Sequence, residues 1–256
     1  MIRLKIKFIK NFPALFIQEI KTIVVADLHI GIEYELYKSG IRIPSQVAEM
    51  KKNIFDLIKK TKAKRLVILG DLKHDVPGIS YQEIKEIPGL MKDLSQKIKV
   101  DVCLGNHDTY IKKLSPEEIK IHGSEGFKIE RFGFIHGHAW PSKELLSCDC
   151  LISGHTHPVI QFTDKFGYRI IEPVWIKNKI DKEKIKQRYK VETTGKLEFI
   201  IMPAFNRLLG GTPVNVKRNN DELLGPLLKN NFVEMNESEI YLLDGTYLGR
   251  LKNIVL

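Results

Sequence analysis

Short apolar runs alternate along this chain with polar turns of recurring content. "KTIVVADLHIG", "KRLVILGDLKHD", "KVDVCLGNHD", "FGFIHGH" and "CDCLISGHTH" each carry an apolar run and then Asp, Asn or His. Apolar runs of this kind bounded by turn residues predict buried strands. In extended backbone, side chains two positions apart share a side, which predicts that His155 and His157 project together from the end of their strand. Between the first two runs, Val47, Met50, Ile54, Leu57 and Ile58 fall at helical spacing behind Ser45, a candidate cap. Between the second and third, "SYQEIKEIPGLMKDL" offers a Ser80 to Glu83 capping box, apolar Ile84, Ile87, Leu90, Met91 and Leu94, and Pro88 as a kink. Strands alternating with helices predict an α/β layered core.

After His157 the pattern turns strand-rich. "GYRIIEPVWIKN" and "KLEFIIMPAFN" read as strands, and "DKEKIKQRYK" between them as either a short charged helix or a solvated loop. "EIYLLDGTYLGRLKNIVL" reads as a hairpin about Asp244-Gly245. No repeat, low-complexity tract or linker interrupts the chain, so residues 1–256 are expected to form a single domain of two packed sheets with helices outside.

Composition narrows the class. The chain has 256 residues, 43% hydrophobic and 28% charged, ample for a globular core. No apolar run approaches the ~18 residues of a membrane span, and the first residues alternate lysine with apolar positions, so a cytoplasmic protein without membrane contact is expected. Its 3 cysteines cannot make a fully paired framework; Cys148 and Cys150 are expected to pack as small buried side chains. Lys+Arg number 41 against 31 Asp+Glu, a net charge of +10, which favours polyanionic partners without choosing among them.

Singly, each loaded turn has an ordinary reading: Asp27 can cap a helix, Asn106 can form a turn, and a lone histidine is usually structural. Five strand ends carrying such residues are hard to ascribe to capping, and strand carboxyl ends are where open α/β sheets place their sites. Asp27, His29, Asp71, Asn106, His136, His155 and His157 supply oxygen and imidazole nitrogen without thiolate, a set suited to manganese, iron or zinc rather than calcium. One carboxylate can bridge two ions ~3.5–4 Å apart, an arrangement suited to phosphoryl transfer.

Together, "DLH", "GDLKH", "GNHD", "HGH" and "GHTH", within residues 22–160, resemble the successive motifs of the calcineurin-like metallophosphoesterases. The resemblance implies a four-layer α/β sandwich, two central mixed sheets flanked by helices, holding two divalent ions: manganese, with iron, zinc or nickel as alternatives. It implies that Asp27, His29, Asp71 and His157 hold the first ion, that Asp71, Asn106, His136 and His155 hold the second, and that Asp71 bridges. His107 would be the catalytic histidine and Asp108 its orienting acid. Phosphoprotein phosphatases of this fold usually follow the second motif with an acid and an arginine, whereas "GDLKHDV" has His74 and no arginine. In that it resembles the double-strand-break repair nucleases, in which this histidine helps engage the scissile phosphate; the alternative is a residue that only supports the turn or a ligand.

"PAFNRLLGGTPVN", residues 203–215, resembles the second-half signature of archaeal and bacterial small phosphoesterases, some linked to DNA-repair helicases and ligases. Gly210 and Gly211 permit close backbone approaches. The loop either folds beside the metals and meets substrate through Asn206 or Arg207, or covers a sheet edge. The function so implied is hydrolysis of a phosphodiester, in DNA, RNA or a nucleotide, by in-line attack of a hydroxide bridging the two metals, with His107 assisting the leaving oxygen and DNA-repair proteins as partners. The alternatives are a phosphomonoesterase, a cyclic-nucleotide phosphodiesterase, or a metal-binding scaffold without turnover, against which the complete ligand set argues.

Overall fold

In a computed structural model, which describes residues 4–216 and 225–254, the apolar runs become strands of two mixed sheets. The first contains, in spatial order, β1 (Ile6–Phe8), β2 (Leu15–Ile17), β3 (Thr22–Val25), β4 (Arg65–Leu69), β5 (Lys99–Cys103) and β6 (Lys120–His122). From β3 to β6 the strands are parallel, while β1 and β2 are joined antiparallel. The second sheet comprises β7 (Phe127–Ile129), β8 (Phe132–Ile135), β9 (Cys150–Ser153), β10 (Pro158–Thr163), β11 (Arg169–Lys179), β12 (Glu198–Ile201), β13 (Thr212–Pro213), β14 (Glu239–Leu242) and β15 (Tyr247–Arg250). Its order is β13-β10-β11-β12-β9-β8-β7, with β14 also pairing β11 and β15 beyond it. The helices are α1 (Ile32–Lys38), α2 (Val47–Thr61), α3 (Tyr81–Ser95), α4 (Lys182–Tyr189) and α5 (Pro226–Lys229).

Strand periodicity sorts the core into layers. On β3 and β4, Ile23, Val25, Leu66 and Ile68 pack with Met50, Ile54 and Leu57 of α2 and Ile87, Leu90 and Leu94 of α3. Their alternates Val24 and Val67 face the other way and pack with Phe132, Phe134, Cys150, Ile152, Trp175 and Ile200 of the second sheet. Across that sheet, Leu151, Ile176, Phe199 and Ile201 meet Ile185 of α4 and Leu227 and Leu228 of α5. This is a four-layer sandwich, helix–sheet–sheet–helix, with the two sheets also locked by Phe8 stacked on Trp175 at 4.4 Å. Burying both faces of each sheet explains why the central strands read as continuous apolar runs.

Local signals behave as their chemistry dictates. Ser80 Oγ accepts from Glu83 N–H and the Glu83 carboxylate accepts from Ser80 N–H at 2.6 Å, completing the capping box. Pro88 stays inside α3. Helix α2 starts one residue later than a Ser45 cap would set, with Gln46 at the cap, although Ser45 Oγ still accepts from Val47 N–H at 3.3 Å. "DKEKIKQRYK" resolves as a helix because Asp181 accepts from Glu183 and Lys184 N–H. The C-terminal hairpin turns through residues 243–246, with Gly245 at φ 95°. Cys103, Cys148 and Cys150 are buried and free; burial pushes the Cys148 thiol up to about 11. Among the described residues no helix is long and apolar enough to cross a membrane.

At the amino ends of the parallel strands, Asp101 is held between Arg65 Nη1 at 2.6 Å and His122 Nε2 at 2.8 Å, with its own side chain 2% exposed. Burial raises its carboxyl, but the His122 hydrogen bond and the Arg65 charge outweigh burial and leave it below the ordinary range. A carboxylate depressed in the folded state contributes stability that is complete above its unfolded value of ~3.9 and is lost as pH falls through the folded value. Asp101→Asn is therefore expected to lower stability at neutral pH by roughly 1–3 kcal/mol and to flatten the acid limb of a urea-unfolding series; a parallel pH dependence in parent and variant would contradict the assignment.

Candidate metal centre

The five loaded turns converge. Three follow the parallel neighbours β3, β4 and β5 of the first sheet, and two follow the parallel neighbours β8 and β9 of the second. Their candidate ligands lie in turns rather than extended backbone: Asp27, His29, Asp71, His155 and His157 have φ of 58°, 42°, 48°, 73° and 40°. Positive φ outside glycine is uncommon and costs about 1–3 kcal/mol where the surroundings impose it. This corrects the extended picture of His155 and His157, which leave β9 in a left-handed turn closed by Thr156 N–H on the Gly154 carbonyl. Cross-turn bonds hold the arrangement: Asp27 N–H donates to the Gly70 carbonyl and His29 N–H to the Asp71 carbonyl. Gly105 must be glycine, since a Cβ there would lie 2.1 Å from Asp71 Oδ1.

Asp71 lies at the middle. Its Oδ2 is 3.3 Å from His29 Nε2 on one side and 3.3 Å from His136 Nε2 on the other, while its Oδ1 accepts from His107 N–H at 2.9 Å. On the His29 side, Asp27, His29 and His157 offer ligand atoms within 4.8 Å of one another, and on the other side Asp71, His136 and His155 do the same. His157 Nε2 is 3.4 Å from Asp27 Oδ1. Asn106 Oδ1 and His155 Nδ1 lie 3.2 and 3.1 Å from His136 Nε2. His29 Nε2 and His157 Nε2 are buried without a hydrogen-bond partner, a costly condition that a cation beside them relieves. Mixed oxygen and imidazole donors around two buried acids fit a pair of divalent ions.

The imidazole protons follow from fixed partners. His136 Nδ1–H donates to the Leu69 carbonyl at 2.8 Å, leaving Nε2 for Asp71. His74 Nε2 meets the Glu35 carboxylate at 2.5 Å, so it carries a proton, and His74 Nδ1 accepts from His29 Nδ1–H at 3.0 Å. The chain Glu35–His74–His29 thereby turns the His29 Nε2 lone pair toward Asp71. Burial opposes a proton on His136, yet the hydrogen bond and charge of Asp71, helped by Asp27, raise it to about 9. Burial and the charge of His136 push His155 down to about 3; burial also lowers His29 against the pull of Asp71. Asp71 is held far below the carboxylate range: burial would raise it, but His136 and His29 prevail.

The remaining sequence candidates have definite places. His107 lines the cavity of about 460 Å³ formed with His29, Asp71 and His157, and its Nδ1–H donates to the His74 carbonyl at 2.5 Å. Asp108 does not reach the His107 ring as expected. Its buried carboxylate accepts from Leu72, Lys73 and Gly105 N–H and so ties the second and third turns together. Two supporting residues, Glu35 and Lys73, carried no sequence signal of their own, and a third, Glu83, was legible only as half of the capping box. Glu35 acts from α1, Glu83 accepts from His74 and Asp75 N–H at 2.8 and 2.7 Å, and fully buried Lys73 donates to the Asp75 and Gly78 carbonyls. The loop of residues 203–215 lies beside the candidate ligands and also covers a sheet edge. Phe205 and Asn206 N–H donate to the Ala26 and Asp27 carbonyls beside the candidate ligands, and β13 pairs with the edge of β10. Gly211 allows that pairing, because a Cβ would lie 2.2 Å from Val159.

No family model and no curated protein matches the chain. Among solved structures it is similar to the nuclease MPE of Pseudomonas putida, with a TM-score of 0.54 and 16% identity over 94% of this chain and 98% of that one. A second likeness, to the phosphoesterase Yfce of E. coli, has a TM-score of 0.36 and 20% identity over 56% of this chain and 73% of that one. The first likeness extends over nearly the whole of both molecules, and the chain shares the fold of that nuclease.

Proposed function

We propose that this chain is a dinuclear phosphoesterase of the calcineurin-like type that hydrolyses phosphodiesters, as a nuclease or nucleotide phosphodiesterase. The observation that carries the reading is Asp71 Oδ2 set 3.3 Å from a histidine nitrogen on either side. Asp27, His29, Asp71 and His157 would hold one ion, and Asp71, Asn106, His136 and His155 the other, with manganese the favoured metal. When bound, the pair supplies Lewis acidity at the phosphoryl oxygens and a strong nucleophile at neutral pH. The Glu35–His74–His29 chain orients a ligand, since both ring nitrogens of His74 are engaged. His107, its Nδ1–H held by the His74 carbonyl, turns Nε2 to the cavity, and in its doubly protonated form would give the Nε2 proton to the leaving oxygen. A diester is favoured over a monoester because the metal-lined cavity shares His157 and Gly210 with a second cavity of about 400 Å³, giving room for a second substituent on phosphorus. One domain, a cytoplasmic location and DNA-repair partners belong to the same reading.

In metal analysis of purified variants, Asp71→Asn is expected to lose both ions, His29→Ala mainly the first and His136→Ala mainly the second. Two ions and native activity in Asp71→Asn would refute the bridge. For His107→Ala, both ions should remain and the rate on a nucleoside-leaving diester should fall by ~10²–10⁴. A nitrophenyl diester, whose leaving group departs as an anion, should lose much less; equal losses would exclude proton donation. Both His74→Ala and Glu35→Gln are expected to weaken manganese binding at the first site, by about 10–100-fold for the former, read by calorimetric titration. Unchanged affinity in His74→Ala with a loss confined to diester turnover would instead put His74 on the substrate phosphate.

A further inference from the structure

Beyond Gln161 the paired strands β10 and β11 leave the body of the molecule, and residues 162–172 are all exposed. The arm they form is not polar, as a bare solvated hairpin would be. Phe162, Phe166, Tyr168, Ile170 and Ile171 are 44%, 84%, 68%, 48% and 48% exposed. Lys165 lies over the Phe166 ring at 5.1 Å, and Arg169 is paired opposite Thr163. In an antiparallel pair the residues opposite each other share a face, so one face runs from Val159 and Pro173 through Gln161 and Ile171 to Thr163 and Arg169. That face is about 13 Å long at the usual rise per residue.

The foot of this face opens into the second cavity. Pro13, Pro158, Leu209 and Leu243 give it apolar walls, and Asn11, Glu172 and Arg207 give it polar edges. Asn206 also lines it but is committed to the fold, donating to the Leu28 carbonyl and accepting from Leu208 N–H. Arg207, which is exposed, touches the Asn11 carbonyl at 3.4 Å through one nitrogen. The cavity's volume falls within the roughly 300–1,000 Å³ of small-molecule sites, and it shares His157 and Gly210 with the cavity lined by the candidate ligands.

We infer that this cavity and the arm above it form one track for an unpaired polynucleotide, with a base in the cavity beside the scissile phosphate and following bases against the aromatic arm. The inference rests on the phosphodiester reading above and adds where the polymer lies. Apolar walls with polar edges suit a base, and Phe166 and Tyr168, in the turn at the far end of that face, offer rings on which bases stack without sequence preference. Arg207, Arg169 and Lys165 supply the complementary charge, within a chain of net charge +10. A duplex keeps its bases stacked inside and would have to flip one out to fill the cavity.

The test is fluorescence anisotropy of a short labelled oligothymidylate with the full chain in excess chelator, so that binding is read without turnover. The parent is expected to bind it more tightly than the same oligomer in duplex with oligodeoxyadenylate. Phe166→Ala and Tyr168→Ala together should weaken binding roughly 5- to 150-fold for each stacked base lost. Arg207→Ala should weaken it and reduce the salt slope by about 0.7. Tyr81→Ala removes a ring 72% exposed on α3 and should bind like the parent. Melting curves check that each variant is folded. Parental affinity in the double variant, an equal loss in Tyr81→Ala, or duplex bound as tightly as single strand would overturn the track. So would a dimeric parent whose double variant is monomeric and still binds normally, which would make the arm a surface for a second copy. Failure of the parent to hydrolyse a nitrophenyl diester with any divalent metal would defeat the reaction proposed above, and the anisotropy result would still judge the track separately.

Discussion

Two carboxylates buried at the junction of two sheets set the terms for this molecule. Asp27 is 0% and Asp71 2% exposed, and burying ionised acids is costly unless positive charge and hydrogen bonds answer them. His136 supplies part of that answer, held up to about 9 by the two acids in spite of its burial. Backbone amides supply another part: His155 N–H donates to both Asp27 oxygens at 3.2 and 3.1 Å. The unpartnered nitrogens of His29 and His157 beside the same acids point to divalent ions as the remaining part. The sandwich makes this possible, since a core that extends from Leu15 and Val67 to Phe134, Trp175 and Ile200 fixes both sets of strand ends and can hold five ligands in left-handed backbone.

Around that pair of acids the residues divide by what they touch. His107 faces the cavity lined by the candidate ligands, whereas Asp108, Glu83 and Lys73 face backbone groups of the turns. The fully buried ammonium of Lys73 is answered by carbonyls of residues 75 and 78, which shapes the segment carrying His74. Glu35 and His74 stand between these groups, reaching the centre through His29 and, by the His74 carbonyl, through His107. Among the described residues this cavity shares His157 and Gly210 with a second one, and the proposed preference for a diester rests on that neighbour.

Much of this was legible in the sequence because the signals are local. An apolar run followed by Asp, Asn or His marks each of the five turns, and the Ser80 to Glu83 capping box needs only three residues of separation. The four-layer arrangement followed from a resemblance carried by those same turns. What escaped depends on contacts between distant segments. Glu35 meets His74 from a helix 39 positions earlier, and nothing in "IEYELYK" distinguishes that acid from a solvated one. Asp108 was assigned to His107 by the resemblance of the "GNHD" motif, but the turn aims it back at Leu72 and Lys73. The extended geometry assumed for His155 and His157 fails because the strand ends at Ser153. The arm's residues, Phe162, Lys165, Phe166, Tyr168 and Arg169, do lie in one short stretch, but that they stand exposed follows only from where β10 and β11 pair beyond the core.

The central claim is that Asp71 joins two ions at the junction of the sheets. Electron paramagnetic resonance during a manganese titration of the metal-free protein reads this directly, because two manganese ions sharing a carboxylate are exchange-coupled and isolated ions are not. The account predicts saturation at two equivalents with a coupled multiline spectrum. Saturation at one equivalent, or two equivalents that give only the six-line signal of separate ions, would contradict it.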